Sequence, residues 1–179
     1  AVALSAGDYK YTDLLYSYIP NIYKILESNI KQFNNQKAIC QLLGDKNEES
    51  IEFNIASNGG ASSSIFSINE NEKLPFSMNE KIFLPMRRLD DIQSIEQIQN
   101  FKHWVIDVQG AELNVIRGAE KLINECQSLQ IEVKNISDYI GGSSWINVKD
   151  FLFSKGFKVS TVNRRISSLK QFYLFLFNN

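Results

Sequence analysis

Two runs of strand-forming residues near the end of the chain, "FKVSTV" and "FYLFLF", are separated only by the nine residues "NRRISSLKQ". A parallel crossover within one sheet takes a dozen or more residues, so these strands must form an antiparallel hairpin. Upstream, strand-like runs ("AICQLL", "IEFNIA", "IFLPM", "WVIDV", "LQIEV") are interleaved with helix-like stretches. That alternation is the pattern of a layered α/β domain with a mostly parallel sheet. A parallel sheet finished by an antiparallel hairpin restricts the architecture more than any other feature. The expectation is a seven-stranded sheet, "WVIDV" central and the last two strands antiparallel.

The helical stretches carry their own punctuation. Ile22, Leu26, Ile30 and Phe33 recur at helical spacing after Pro20, a favourable first-turn residue. A helix over 111–124 would bury Leu113, Ile116, Ala119 and Ile123 on one face, and "SSWINVKDFLFSKG" reads as the last helix, stopped at Gly156. "RRLDDIQSIEQIQN" reads as a short helix capped by Asp90 or Asp91, and "SNGGASSS" as a polar loop.

Composition bounds the partners. A chain of 179 residues, 44% hydrophobic and 12% aromatic, has the size and apolar content of one domain, expected over 1–179. Its formal charge of -1 provides no broad basic field, so no nucleic-acid partner is expected. Cys40, Cys126 and the single histidine, His103, make neither a disulfide framework nor a zinc set. No metal is expected, and a reducing cytoplasm fits. No apolar run approaches the roughly 20 residues that span a bilayer, and the start "AVALSAGDYK" lacks the basic and apolar regions of a signal peptide. The expected behaviour is that of a soluble chain.

The stretch "HWVIDVQGAELNVIRGAEKLI" raises the functional question. Its apolar run stops on Asp107 and Gln109, turns at Gly110 and opens a helix with Glu112 in the first turn. In open α/β sheets ligands bind in the crevice beyond the carboxyl ends of the strands. An acid at the end of a buried strand needs a reason, and a site is the reading favoured for Asp107.

"IDVQGAELNVIRGAEKLI" followed by "LQIEV" resembles the FkbM family of S-adenosylmethionine-dependent methyltransferases. Its signature is an Asp-Val-Gln-Gly-Ala-Glu run with a downstream Gly-Ala-Glu. The resemblance extends to "IPNIYKILESNI", "LLGDKNEESIEF", the Ser-rich "SNGGASSSIF" and the Leu-Asp-Asp element in "RRLDDI", covering most of the chain from Pro20 onward. It implies a Rossmann-like class I methyltransferase fold, which the terminal hairpin also suggests. Two departures stand out. The family's glycine-rich cofactor loop has only "VALSAGDYKYT" as its counterpart here, with Ala3 in place of the acid and Ser5 in place of a glycine. Only seven residues then separate Thr12 from Pro20, with no acid before Pro20 to hold the ribose hydroxyls. Either part of the cofactor site has been lost or the chain is incomplete between 12 and 20; the intact downstream match favours the second.

The resemblance implies S-adenosylmethionine as cofactor, held by Gly7, Asp8, Asp45, Ser62, Ser63, Asp107, Gln109 and Gly110. Asp45 would take the adenine amino group; Gln109 and Gly110 would shape the cofactor wall. Asp107 and Glu132 are the expected catalytic carboxylates, with Glu132 one strand over and facing the acceptor. "DVQG" is not the Asn/Asp-Pro-Pro-aromatic turn of many amino and nucleobase methyltransferases, which favours an oxygen acceptor. The function expected is O-methylation of a hydroxyl on a sugar or other secondary metabolite, that is, a small-molecule or glycan acceptor. The alternative is a non-catalytic binding or assembly module that kept the fold and lost the cofactor loop. Homo-oligomer formation is left open.

Other polar residues have plainer readings. Glu112 reads as a first-turn acid stabilised by the helix dipole, and His103, at the start of its strand, as structural. Arg87, Arg88, Asp90 and Asp91 are balanced between a solvated loop and part of the site. The run from Ser62 to Ser64 reads equally as a linker or as a loop over the ligand. Arg164 and Arg165 in the hairpin turn read as solubilising an edge.

Overall fold

A computed structural model describes residues 2–5, 13–17, 19–32, 36–69, 73–92, 101–163 and 172–178. The chain opens with strands β1 (Val2–Ser5) and β2 (Asp13–Ser17), helix α1 (Pro20–Ile30), strand β3 (Gln36–Cys40) and the two-residue β4 (Leu42–Leu43). A long hairpin follows, β5 (Glu48–Ala56) and β6 (Met78–Arg87), then β7 (His103–Ile106), helix α2 (Glu112–Gly118) and β8 (Ser128–Val133). Helix α3 (Trp145–Ser154), β9 (Phe157–Asn163) and β10 (Phe172–Asn178) complete it.

Seven strands form one sheet in the order β3-β2-β1-β7-β8-β10-β9, with β7 at its centre. The terminal pair β9 and β10 is antiparallel, as the short connection requires. The expectation of a mostly parallel sheet is corrected. Within this sheet only β2 with β3 and β7 with β8 pair in parallel; β1 runs antiparallel to both β2 and β7, as β10 does to β8 and β9. The reason for β1 is chain length: seven residues, 6–12, join it to β2, too few for a parallel crossover. Reversal has a consequence for position, because Val2 pairs with Ile106 and Ser5 with His103. The chain therefore leaves β1 at the His103 end of the sheet, and β2 carries it back to the Asp107 end, where Tyr16 lies across from Val2.

The run "AICQLL" is not one strand. It breaks at Gln41, and Leu42 and Leu43 join a second sheet of order β4-β6-β5. Gln41 marks the switch by donating its amide to Leu42 O and Pro85 O, at 3.1 and 3.0 Å.

The main core lies around β7, β8, α2 and α3, where Trp104, Ile106, Ile116, Ile123, Leu129, Ile131 and Leu152 are fully buried. The alternation of the strands drives this burial: Leu129, Ile131 and Val133 of β8 point inward while Ser128, Gln130 and Glu132 do not. The helix expected over 111–124 is shorter than that, since α2 ends at Gly118 and a 3-10 turn, Leu122–Glu125, follows. A side chain at Gly118 would meet Gly44 O at 1.8 Å, so only glycine lets the helix end approach the strand-end backbone this closely. Ile116, Ala119 and Ile123 are buried as expected, whereas Leu113 is only partly covered.

At the other helices the local rules hold. Helix α1 begins at Pro20 and buries Ile30; Phe33 lies outside the described residues. Helix α3 is capped by Ser144, whose hydroxyl accepts from Asn147 N, and ends before Gly156 at φ 89. "LDD" forms a 3-10 turn, Leu89–Asp91, that neither acid caps. Asp90 instead reaches across the sequence: its carboxylate accepts from Lys121 N and Leu122 N at 3.0 and 3.1 Å, starting the 3-10 turn after α2.

Candidate active site

The carboxyl end of β7 is built by a strained turn. Gln109 has φ 55 and Gly110 φ 94, and Gln109 is the one non-glycine residue with positive φ among those described. Such a conformation persists where surrounding contacts over-determine it. Four side chains do so. Ser64 Oγ donates to Gln109 O at 2.7 Å, and Ser143 Oγ donates to Gly110 O at 2.8 Å. Glu112 Oε1 accepts from Gly110 N at 3.1 Å and Val108 N at 3.3 Å. Tyr139 packs its ring on Gly110, where a Cβ would come within 3.0 Å of Tyr139 Cδ2.

This turn, the end of β8 and the following loop line a small cleft that is open to solvent. Gln109, Gly110 and Glu112 form one side; Glu132, Val133 and Lys134 form the other; Ser137, Asp138, Tyr139 and Ser143 close it. Its electrostatics are those of crowded carboxylates. Glu112 is only 3% exposed. Burial pushes its carboxyl up to about 7 against the pull of its backbone N–H donors, and the Asp107 charge adds to the rise. Glu132 is likewise raised to about 7, first by burial, then by the charge of Asp107 and a side-chain hydrogen bond with it, while Lys134 pulls the other way. Asp107 also accepts from Gln109 Nε2 at 2.6 Å. The one cation of the cleft lining, Lys134, is itself bonded to Asp138.

The predicted site residues separate into groups. Glu132, Gln109 and Gly110 line the cleft, and Asp107 stands beside it, bonded to the Gln109 amide and to Glu132. Ser62 joins them through its backbone, since the Tyr139 hydroxyl lies 2.9 Å from Ser62 O. Ser63 is buried and structural: its hydroxyl accepts from Ala56 N at 3.0 Å and closes the loop onto β5. Asp45 stands apart from the cleft but close to α2, accepting from Asn114 Nδ2 at 3.1 Å, while its carbonyl accepts from Arg88 Nη1 at 2.7 Å. Gly7 and Asp8 lie outside the described residues; the strand ends that flank them, Ser5 and Asp13, stand at the His103 end of the sheet.

Geometry adds contacts to the two balanced readings. Arg88 and Asp90 face each other at 3.4 Å with the Asp90 side chain 1% exposed, and together they tie Asp45 to the end of α2, a packing role. Arg87 bonds Glu49 on the hairpin. The Ser-rich loop does lie across the sheet end, with Gly60 against Ile19 and Ile22 on one side and Ser64 on the Gln109 turn on the other. Glu112 is more than a first-turn acid, because its carboxylate holds the turn before its own helix.

Sequence reasoning missed Lys134, Asp138, Tyr139 and Ser143, and left Ser64 open within the run from Ser62 to Ser64. The signal for the four was positional: "KNISDYIGGSS" directly follows the strand beside the central one, so it must start at the same crevice.

Among the described residues no group of three or more His, Cys, Asp and Glu side chains is placed to hold a metal ion, and no helix is long and apolar enough to cross a membrane. A family model described as the methyltransferase FkbM domain matches residues 8–159. No curated protein and no solved structure matches the chain.

Proposed function

The chain belongs to the FkbM methyltransferase family, and on that premise we propose that it transfers a methyl group from S-adenosylmethionine to a hydroxyl of a sugar or similar metabolite, at the cleft between β7 and β8. The observation that carries this reading is the hydrogen-bonded pair Asp107 and Glu132 at the adjoining ends of two parallel strands. When bound, the cofactor supplies an electrophilic methyl on a positively charged sulfur. The protein's part is to orient the acceptor oxygen and receive its proton. Asp107 does both, holding the acceptor hydroxyl and taking its proton at a carboxylate oxygen. Glu132 lines the cleft beside it and keeps the acceptor against the pair. Crowded carboxylates and a lysine already engaged by Asp138 favour a neutral acceptor over a phosphate or carboxylate.

The residues fit the cofactor unevenly. At the reacting end Gln109 and Gly110 offer a rigid backbone wall, whereas Asp45, which the family resemblance would give the adenine amino group, stands apart from the cleft and accepts from Asn114 Nδ2. At the ribose end they do not fit: β2 runs out at Ser17, and Ile19 and Ile22 pack on Gly60 where an acid is needed. That apolar contact favours the second reading, a binding module without transfer. The two free thiols, Cys40 and Cys126, agree with a reducing cytoplasm.

A calorimetric titration of the full chain with S-adenosylmethionine and with its demethylated product separates the readings. Binding in the micromolar range supports the transferase; no heat and no thermal shift at millimolar ligand supports the module.

A further inference from the structure

We propose that Tyr139 is a positioning residue for the carboxylate pair: its hydroxyl fixes the Gln109 side-chain amide, and the amide fixes Asp107 against Glu132. The importance of this link rests on the reading of Asp107 and Glu132 as the reacting pair; its existence does not.

Chemistry dictates the order of the links. An ionised carboxylate only accepts, so the amide must present Nε2 to Asp107 Oδ1, and it does so at 2.6 Å. Its other end, Oε1, then faces the Tyr139 hydroxyl at 3.0 Å. Oε1 is also only an acceptor, so Tyr139 donates. Ser62 O, 2.9 Å from the same hydroxyl, takes the second branch of a three-centre bond.

Each member is held from elsewhere. The Tyr139 ring is 7% exposed and lies on Gly110, and Tyr139 N donates to Ser137 Oγ at 3.1 Å. The Gln109 backbone is held in its left-handed conformation by Ser64. The amide is thus the hinge of the chain of bonds: Asp107 selects its flip and the Tyr139 hydroxyl anchors its Oε1 end, so without the hydroxyl the Gln109 side chain is held from one end only and lets Asp107 swing away from Glu132.

Tyr139→Phe keeps the ring over Gly110 and removes only the hydroxyl; Gln109→Met breaks the same link from the other side. The experiment is an NMR titration of the Glu132 carboxyl in the full chain labelled with 13C-glutamate, with no ligand added. Glu132 should titrate near the value of about 7 in the parent chain. Either single variant should lower that midpoint by about one pH unit, because the Asp107 charge and hydrogen bond are withdrawn, and the double variant should lower it no further than either alone. A midpoint unchanged in both single variants, whatever happens to the melting temperature, overturns the proposal; so does full additivity of the two shifts. Since neither cofactor nor acceptor enters the titration, a shifted midpoint in a chain that binds no S-adenosylmethionine would refute the transferase reading and leave the positioning link standing.

Discussion

Strands β7 and β8 have two ends built from similar residue types and arranged in opposite ways. At the His103 end the polar groups sit at the surface and pair locally: His103 Nδ1 lies 2.6 Å from Ser128 Oγ, and Lys102 bonds Glu125 at 3.1 Å. At the Asp107 end three carboxylates crowd into and beside a cleft, one of them 3% exposed, behind a turn with a left-handed glutamine. Exposed pairs like those at the first end contribute little either way. Burying carboxylates side by side costs stability and raises their proton affinity. Perturbed carboxylates cluster at functional sites, and the difference between the ends is the ground on which the proposed site is set at the Asp107 end.

The largest effect expected from breaking this contrast is on rate. Asp107→Asn keeps the shape and removes the charge, so single-turnover transfer should slow by roughly 100-fold or more, the scale of general-base contributions, with the melting temperature nearly unchanged. An Asn variant that is destabilised yet fully active per folded molecule would make the acid structural.

The next effect is on stability against pH. Glu112 and Glu132 have ordinary values of 4.5 and hold protons up to about 7 in the folded chain. Between these values the folded state binds more protons than the unfolded one, so stability falls as pH rises through the window and levels off above it. For Glu112 the loss is on the order of 3 kcal/mol. Thermal melts at pH 5 and pH 8 should differ by several degrees, and Glu112→Gln, an uncharged mimic of the protonated acid, should remove much of the difference by stabilising the chain at pH 8. Equal melting temperatures for the parent chain at the two pH values would show that Glu112 is not buried in solution.

Gly118→Ala probes packing remote from the cleft. With Gly44 O in the way, overpacking of about 1–3 kcal/mol is expected, read as a lower melting temperature with transfer per folded molecule retained. The smallest effect belongs to the quiet end of the sheet: His103→Ala should change stability by no more than about 0.5 kcal/mol and leave transfer unchanged. Loss of transfer in that variant would erase the contrast between the two ends.

Much of this was legible in the sequence where local rules decide. The count of residues in "NRRISSLKQ" dictated the terminal hairpin, Gly156 stopped α3, and "IDVQGAE" marked the turn of the proposed site. The same count holds for the seven residues between Ser5 and Asp13 and gives the reversed β1, against the expectation of a mostly parallel sheet. What was not legible depends on contacts distant in sequence. Nothing local in "RGAE" tells that Gly118 meets Gly44, nothing in "LDD" that Asp90 caps residues 121 and 122, and nothing in "SDYIGG" that Tyr139 reaches Ser62 and Gln109.

The central claim is that the Asp107 end, and not the His103 end, receives the methyl donor. Backbone amide shifts of the 15N-labelled full chain, recorded while S-adenosylmethionine is added, test it most directly. The largest changes are expected at Val108, Gln109, Gly110 and Lys134, with His103 and Trp104 unmoved. Changes confined to the His103 end, or none at millimolar ligand, would contradict it.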